Sequence, residues 1–215
     1  ATIDYVQLFG NTLLTCVEVD AGVPLNGIST WNQNNGYIFN EDCSNPETYV
    51  PDDNFEAFLE ANAMGNGTAN DDKVFTNNIN TIAVLDVSNQ SISDLTGIED
   101  FTVLTELDAK SNSISEVNIS KNLNLEKLIL NSNQLSEINV SENTLLEDLW
   151  IKDNTIKILD VSKNVALNWL DCSENDIENL NLNANTALGY FIVNDNNLAV
   201  LKLQNGYSVT SFDAR

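Results

Sequence analysis

Two kinds of side chain in this sequence could do chemistry, carboxylates and aromatic rings, because the chain has no histidine to act as a general base or a metal ligand. Asp108, Asp148 and Asp171 stand at related positions and could form the carboxylate pair that hydrolyses a glycosidic bond. Trp150 and Trp169 lie in the same part of the chain and could bind a partner through their rings. Which chemistry is available depends on the elements that present these side chains.

Metal chemistry is only weakly indicated. The sequence has no CxxC pair and no histidine, so a zinc site is a poor fit. Oxygen-rich segments such as residues 70–72 and Asp20 could bind a hard cation, but neither an EF-hand nor a nonapeptide calcium repeat is present. We therefore predict no metal and no cofactor.

The chain has three cysteines, Cys16, Cys43 and Cys172. The simplest interpretation is one disulfide between Cys16 and Cys43 and a buried free thiol at Cys172, although the first two could also be separate buried thiols. A bridge closing a loop of this length contributes about 3–4 kcal/mol in the chain-entropy model. It would indicate an oxidising compartment, so we predict an extracellular or cell-surface protein.

The charge of the chain excludes two classes of partner. Nine basic residues against 32 acidic ones leave a formal net charge of −23. Binding to nucleic acid needs a basic surface that neutralises phosphates, and an anionic membrane surface would repel so acidic a protein. No apolar run is long enough to span a bilayer, so direct membrane insertion is not predicted either.

A repeat of 21 residues organises the second half of the chain. Asparagines recur with this stride at Asn112, Asn133, Asn154, Asn175 and Asn196, and Asn89 precedes the first of them by 23 residues. Leucine or another apolar residue stands at fixed places around the five regularly spaced asparagines, which gives the pattern LxxLxLxxNxL. All six asparagines are predicted to be structural.

The segment 125–135, with the sequence LEKLILNSNQL, resembles the leucine-rich-repeat consensus in the short form typical of bacterial surface proteins. The stretch 85–101 is similar to the first coil of such bacterial arrays, of which internalins are relatives. The resemblance covers residues 82–215. It implies an α/β fold, a right-handed leucine-rich-repeat solenoid with a concave parallel β-sheet, a mostly non-helical convex side and an N-terminal capping helix. It specifies the fold more than the function, because the family binds many kinds of partner.

The repeat also has a direct physical interpretation. Its LxxLxL part alternates inward and outward residues, as a strand does, and successive strands stack about 4.8 Å apart into one parallel sheet. The asparagine turns the chain inward, and its amide satisfies backbone groups that the turn leaves unpaired, so stacked asparagines form a ladder. A second series closes each coil on the return path and consists of Asn122, Asn143, Asn164 and Asn185. Because the return path is short, turns and extended pieces are expected there instead of a helix.

Three regions are predicted: a flanking segment that resembles the end of a preceding repeat array (1–48), a helical cap with a loop (49–81) and the repeat array (82–215). The cap helix is predicted from Pro51 to Ala61, with Asp53 as its N-cap and Glu56 completing a capping box. A polar loop should follow over residues 66–80. Both ends of the sequence look cut, so we expect the natural protein to be longer.

In this register, the residues six, four and two places before each asparagine face outward from the concave sheet. The candidate binding site consists of the outward residues around the two tryptophans, namely Lys127, Ile129, Asp148, Trp150, Lys152, Trp169, Asp171, Tyr190 and Ile192. An exposed apolar patch with a charged rim has the composition of a binding hot spot. The alternative is that the rings stack only on one another and stabilise the sheet, as cross-strand aromatic pairs do.

These observations predict a non-enzymatic binding module that recognises a protein partner through the concave face. The alternative is a carbohydrate-binding module on a secreted polysaccharide-processing or adhesion protein, in which Trp150, Trp169 and Tyr190 stack on sugar rings. Catalysis is not expected, because an open sheet has no deep pocket to exclude water or to raise the pKa of a carboxylate. The sequence leaves the identity of the partner and the oligomeric state open.

Overall fold

The computed structural model describes residues 45–203, together with the backbone of three short strands that lie outside this range, Cys16–Glu18, Ile38–Asn40 and Ser211–Asp213. The chain forms two compact units, Ala1–Pro46 and Glu47–Arg215. In the first unit, β1 (Cys16–Glu18) pairs in parallel with β2 (Ile38–Asn40). The Cys16 side chain and the whole of Cys43 lie outside the described residues, so their disulfide stays a prediction.

A parallel β-sheet of seven short strands forms one face of the second unit. In order along the sheet, the strands are β5 (Val84–Asp86), β6 (Glu106–Asp108), β7 (Lys127–Ile129), β8 (Asp148–Trp150), β9 (Trp169–Asp171), β11 (Tyr190–Ile192) and β13 (Ser211–Asp213). Equivalent residues of successive coils lie opposite each other, as Leu128 and Leu149 do on β7 and β8. The predicted leucine-rich-repeat solenoid with a parallel concave sheet is therefore confirmed.

The core of the solenoid is a stack of inward-facing apolar residues. The central residue of each strand from β5 to β11 in this sheet is buried, as the alternation of a strand requires. On the return path, Ile119, Val140 and Val161 are also buried. Burial of each such aliphatic side chain contributes roughly 1.5–3 kcal/mol, so the repeated leucines and their equivalents supply the main driving force for folding.

The convex return path is built from turns and short extended segments. β10 (Asn179–Asn181) pairs in parallel with β12 (Val200–Lys202), and an isolated bridge joins Ile158 to Asn179. One 3-10 turn, Ile98–Asp100, lies in the first coil. Between residues 82 and 203 no α-helix is present, which agrees with the non-helical convex side predicted from the short return path.

An asparagine shortly after each of several strands of this sheet joins its coil to the preceding one. The amide nitrogen of Asn175 donates to the carbonyl oxygens of Ile151 at 2.9 Å, Cys172 at 3.2 Å and Ser173 at 3.0 Å. Its amide oxygen accepts from the backbone N–H of Ile156 at 3.0 Å. The same arrangement recurs at Asn112, Asn133, Asn154 and Asn196. These five residues form the asparagine ladder.

Asn89 does not belong to the ladder, contrary to the prediction. β5 pairs with β6 at a stride of 22 residues, one more than in the later coils, so Gln90 is the residue aligned with Asn112. Asn89 is instead aligned with Ser111. Both have a left-handed backbone, with φ of 58° for Asn89 and 55° for Ser111. Asn89 is exposed and has a left-handed turn conformation that asparagine tolerates. Gln90, which is aligned with the ladder, donates its side-chain amide to the carbonyl oxygen of Ser88 at 3.0 Å.

A second asparagine series lies in the interior on the return path. The amide nitrogen of Asn143, which is fully buried, donates to the carbonyl oxygens of Ile119 at 3.0 Å and Asn122 at 2.9 Å. The same two bonds recur at Asn122, Asn164 and Asn185. The second series therefore ties neighbouring coils together as the first one does.

An N-terminal cap covers the first coil. It consists of the antiparallel strands β3 (Glu47–Tyr49) and β4 (Lys73–Phe75) and the helices α1 (Asp53–Ala61) and α2 (Thr76–Ile79). Phe55 and Leu59 of α1 are buried, and the ring of Phe55 stacks 6.4 Å from that of Phe101 in the first coil. The predicted capping helix is confirmed, and it packs directly on the end of the core.

The details at the start of this helix differ from the prediction. The N-cap is Asp52, because Asp52 and not Asp53 has the extended backbone that a cap requires, and its carboxylate accepts from Asn54 N and Phe55 N at 3.0 Å each. Glu56 forms no capping box. It is buried and accepts backbone N–H groups of the following loop at 3.1 and 3.2 Å. The loop predicted over residues 66–80 is interrupted by β4 and α2.

Asp52 also joins the cap to the repeat array. Its second carboxylate oxygen accepts from Ser93 N and Ser93 Oγ at 2.8 Å each and from Asp94 N at 3.1 Å. Burial by itself raises the pKa of Asp52, but the hydrogen bonds from Ser93, Phe55 and Asp94 together outweigh that effect and hold the pKa below its ordinary value. One carboxylate therefore fixes both the start of α1 and its position on the first coil.

Gly97 allows the cap to approach the first coil closely. Its φ is 102°, and a Cβ at this position would lie 2.8 Å from the carbonyl oxygen of Tyr49 and 2.9 Å from Val50 Cγ2. The close approach is completed by a hydrogen bond of 2.8 Å from Thr48 Oγ1 to Asp100 Oδ2. Any larger residue at position 97 would push β3 away from the array.

Candidate functional site

Three aromatic residues on successive strands form a continuous row on the outward side of the concave sheet. Trp169 and Tyr190 lie opposite each other on β9 and β11, and their rings stack with centroids 4.7 Å apart. The ring of Trp150 on β8 lies 5.8 Å from that of Trp169, at an angle of 39°. We call Trp150, Trp169 and Tyr190 the aromatic row. The register predicted from the sequence places all three correctly on one face.

Two isoleucines extend the apolar surface around the aromatic row. Ile192 on β11 is half-buried. Ile129 on β7 lies opposite Trp150 and is only 5% exposed, although it is not part of the solenoid core. The prediction of an exposed Ile129 is therefore wrong. The side chain of Ile129 is shielded from solvent beside the large ring of Trp150, which lies opposite it in the sheet. Ile129 supports the row instead of offering contact area of its own.

The charged residues of the candidate site are mostly paired. Lys127 Nζ lies 2.6 Å from Glu106 Oε1 and 5.9 Å from the ring centroid of Trp150, within the range of a cation–π contact. Lys152 Nζ lies 3.0 Å from Glu174 Oε1. Asp171 Oδ1 accepts from the backbone and the hydroxyl of Ser173 at 3.1 and 2.6 Å. These contacts hold the rim of the patch in place.

Asp148 differs from the other charged residues of the site. It lies on β8 between Lys127 and Trp169 in the register of the sheet and is half-buried. Within the part of the chain that the structure describes, no hydrogen bond or ion pair reaches its carboxylate. Loss of hydration raises the pKa of Asp148, Lys127 opposes that shift, and Glu147 and Glu106 add to it. The site therefore contains one carboxylate whose acceptor oxygens are free.

Trp150 carries an unpaired polar atom of its own. Its indole Nε1 is shielded from solvent and has no hydrogen-bond partner in the described structure. A buried donor without an acceptor costs roughly 1–3 kcal/mol.

Trp150→Phe is therefore expected to leave the free energy of unfolding unchanged or to raise it by up to about 1 kcal/mol, because it removes the unpaired donor and keeps a ring in the row. Urea denaturation followed by circular dichroism measures this change. Trp169→Phe is the matched control, since no unpaired buried atom is found on Trp169. A clear loss of stability in Trp150→Phe alone would contradict the expectation.

Among the residues that the structure describes, one cluster of carboxylates that could hold a cation lies in the cap. Oxygens of Asp53, Glu56 and Asp72 lie within 4.8 Å of one another. Both oxygens of Glu56, however, already accept backbone N–H groups of Asp71 and Asp72. The arrangement is explained by the attachment of the loop to α1, without a metal ion.

Cys172 lies in the inward column of β9's coil and is a buried free thiol, as predicted. Burial raises its pKa to about 12, so the reactive thiolate is not formed at neutral pH. Its role is that of a small apolar side chain in the core.

The structure also contains a convex groove that the repeat pattern did not reveal. It has a volume of about 600 Å³ and is lined by residues of three coils. Val117 and Ile138 form a half-buried apolar floor, and Glu99, Glu116 and Glu137 stand around it. In so acidic a chain these carboxylates are the ordinary composition of the surface, and we assign no ligand to the groove.

The architecture is similar to that of solved leucine-rich-repeat structures. No protein-family model and no curated protein matches the sequence. The functional domain of InlJ from Listeria monocytogenes, which includes a cysteine ladder, is 31% identical with a TM-score of 0.68, over 79% of this chain and 38% of that one. An internalin from L. monocytogenes strain 4b F2365, InlF, is 20% identical with a TM-score of 0.52, over 69% of this chain and 57% of that one.

Stacked coils, a parallel sheet and an asparagine ladder define a leucine-rich-repeat protein. Within that class, the similarity to InlJ shows that the chain is an internalin-like leucine-rich-repeat protein. It spans 38% of the InlJ structure and, in its described repeats, carries one inward cysteine, Cys172, in place of a cysteine ladder. Solenoids of this kind present an extended concave surface suited to binding other molecules. Across the described residues no helix is both long and apolar enough to cross a membrane.

Proposed function

We propose that this chain is a non-enzymatic protein-binding module that recognises its partner through the concave face. The observation that carries the proposal is the aromatic row, which places three large rings side by side on the outward face of the sheet. Tyr190 is 39% exposed. Aromatic side chains surrounded by paired charges are typical of the centre of a protein interface.

Stacking between the rings also stabilises the sheet, by roughly 0.2–1 kcal/mol for each cross-strand pair. That contribution does not require tryptophan on a solvent face, and the leucines of the core already hold the strands together. Binding therefore explains the choice of these residue types better than stability does.

The stacking geometry favours a protein over a carbohydrate. A sugar binds an aromatic residue by lying on the face of the ring. Trp169 and Tyr190 stack 4.7 Å apart at an angle of 21°, so their facing sides cover each other. The row therefore presents ring edges and apolar surface, which suit the side chains of a protein.

The test is a variant with both tryptophans of the row replaced by alanine, Trp150→Ala with Trp169→Ala. The immobilised wild type is used to capture proteins from host or environmental extracts, and bound proteins are identified by mass spectrometry. Capture of the principal partner is expected to fall by a factor of ten or more, because loss of a central aromatic anchor commonly weakens an interface by about 2 kcal/mol or more.

Ile158→Ala provides the matched control, since Ile158 is 79% exposed and lies on the convex side. Circular dichroism shows whether each variant is folded. A folded double variant that captures the partner as well as the wild type would refute the concave site. Binding to an oligosaccharide array without capture of any protein would favour the carbohydrate-binding alternative.

We also propose that the protein acts outside the cell. The similarity to InlJ supports this location, and a Cys16–Cys43 disulfide would be consistent with it. Intact-mass measurement with and without a reductant is expected to differ by two hydrogens. Equal masses would show that Cys16 and Cys43 are not bridged.

A further inference from the structure

We propose that Asp148 receives an arginine side chain of the protein partner, an inference that rests on the proposed function of the concave face. The two features that point to it are the unpaired carboxylate of Asp148 and its position next to the aromatic row. A partner that covers Trp169 also covers Asp148, because the two residues lie opposite each other on β8 and β9.

Covering Asp148 without a partner charge would oppose binding. A carboxylate that loses its remaining water without gaining a donor costs several kcal/mol, and removal of one member of a buried ion pair shows the same effect. The partner must therefore supply a donor at this point. A cation fits best, because the carboxylate has both oxygens available.

The lysines already on this face do not meet that need. Lys127 is held by Glu106 at 2.6 Å, and Lys152 by Glu174 at 3.0 Å. Lys110 Nζ lies 2.6 Å from Asp108 Oδ2. Each of these cations is thus engaged with another carboxylate. The surplus charge on the face is negative, and a basic group of the partner complements it.

Arginine suits the site better than lysine. Its planar guanidinium donates two parallel hydrogen bonds to a carboxylate and is more weakly hydrated than an ammonium group. Its aliphatic stem can lie along the apolar edge of Trp169. The net charge of −23 also attracts a basic partner before contact.

The probe is a pair of peptides, acetyl-Leu-Arg-Leu-amide and the same peptide with citrulline, which has the shape of arginine but no charge. Binding to the whole chain is followed in 150 mM salt by nuclear magnetic resonance of the indole N–H of Trp169, which lies opposite Asp148 and is present in every variant compared. The wild type is expected to bind the arginine peptide on the order of tenfold more tightly than the citrulline peptide. This preference should fall below about twofold in Asp148→Asn.

Asp148→Asn is expected to stay folded, because no hydrogen bond of Asp148 is lost. Glu137→Gln makes the same change of charge on the convex side and should keep the tenfold preference. Equal binding of the two peptides by the wild type, including no binding of either, overturns the inference. So does an unchanged preference in Asp148→Asn. If the tryptophan double variant still loses capture of the protein partner, only the arginine inference fails and the proposed function stands.

Discussion

Replacing Asp52 with alanine is expected to lower the free energy of unfolding by about 3 kcal/mol. The carboxylate accepts five hydrogen bonds, two from the start of α1 and three from Ser93 and Asp94 of the first coil. Asp52 is 8% exposed, so water cannot fully replace them. Urea denaturation followed by circular dichroism measures the loss. The cap is expected to separate from the array at lower denaturant than the repeats unfold, because it loses its main polar attachment.

Asp53→Ala is the matched control for this prediction. Asp53 is the next residue, is exposed and lies in the first turn of α1, so its loss is expected to cost less than about 0.5 kcal/mol. Equal losses in the two variants would show that Asp52 does not connect the cap to the array.

The same carboxylate gives the attachment a pH dependence. Because the pKa of Asp52 is lower in the folded chain than in the unfolded one, its stabilising contribution is complete above about pH 4 and is lost as the pH falls through the folded value. The stability difference between the wild type and Asp52→Ala should therefore shrink below about pH 4.

The cap shows what a sequence pattern can and cannot determine. A helix over this region follows from the spacing of Phe55 and Leu59, and the structure places it within two residues of the prediction. Both Asp52 and Asp53 are of a residue type that caps helices, and Asp53 alone has a glutamate three residues on, so the local pattern favours the wrong residue. Only the backbone conformation shows that Asp52 is the N-cap. The bonds from Asp52 to Ser93 connect residues 41 positions apart, and a local pattern contains no information about such a contact.

The concave face was more predictable than the cap, because a repeat converts position in the sequence directly into position in space. The stride of 21 residues assigns Trp150, Trp169 and Tyr190 to the outward side of neighbouring strands, where the structure has them. Two properties did not follow from the stride. Burial of Ile129 depends on the sizes of its neighbours, and the isolation of the Asp148 carboxylate depends on which carboxylate each lysine reaches.

Replacing Asn175 with alanine is expected to destabilise the array by about 3 kcal/mol. The N–H group of Ile156 loses its partner, and three carbonyl oxygens each lose one of their two donors, where water has little access. Asn89→Ala should cost only about 1 kcal/mol, the strain of an alanine with a left-handed backbone, and Asn89→Gly should cost almost nothing.

These variants separate two asparagines that share the same sequence motif, and thermal and urea denaturation of all three measures the difference. In a stack of coils each interface depends on its neighbours, so Asn175→Ala should also broaden the unfolding transition, as coils on either side of the substitution lose their coupling.

A loss of stability of similar size in Asn89→Ala would mean that the side chain of Asn89 joins neighbouring coils as the asparagine ladder does. The one-residue insertion between β5 and β6 would then have no consequence for the first coil. A small loss in Asn89→Ala beside a large one in Asn175→Ala would show that the hydrogen bonds between coils, and not the presence of asparagine itself, determine which residues hold the solenoid together.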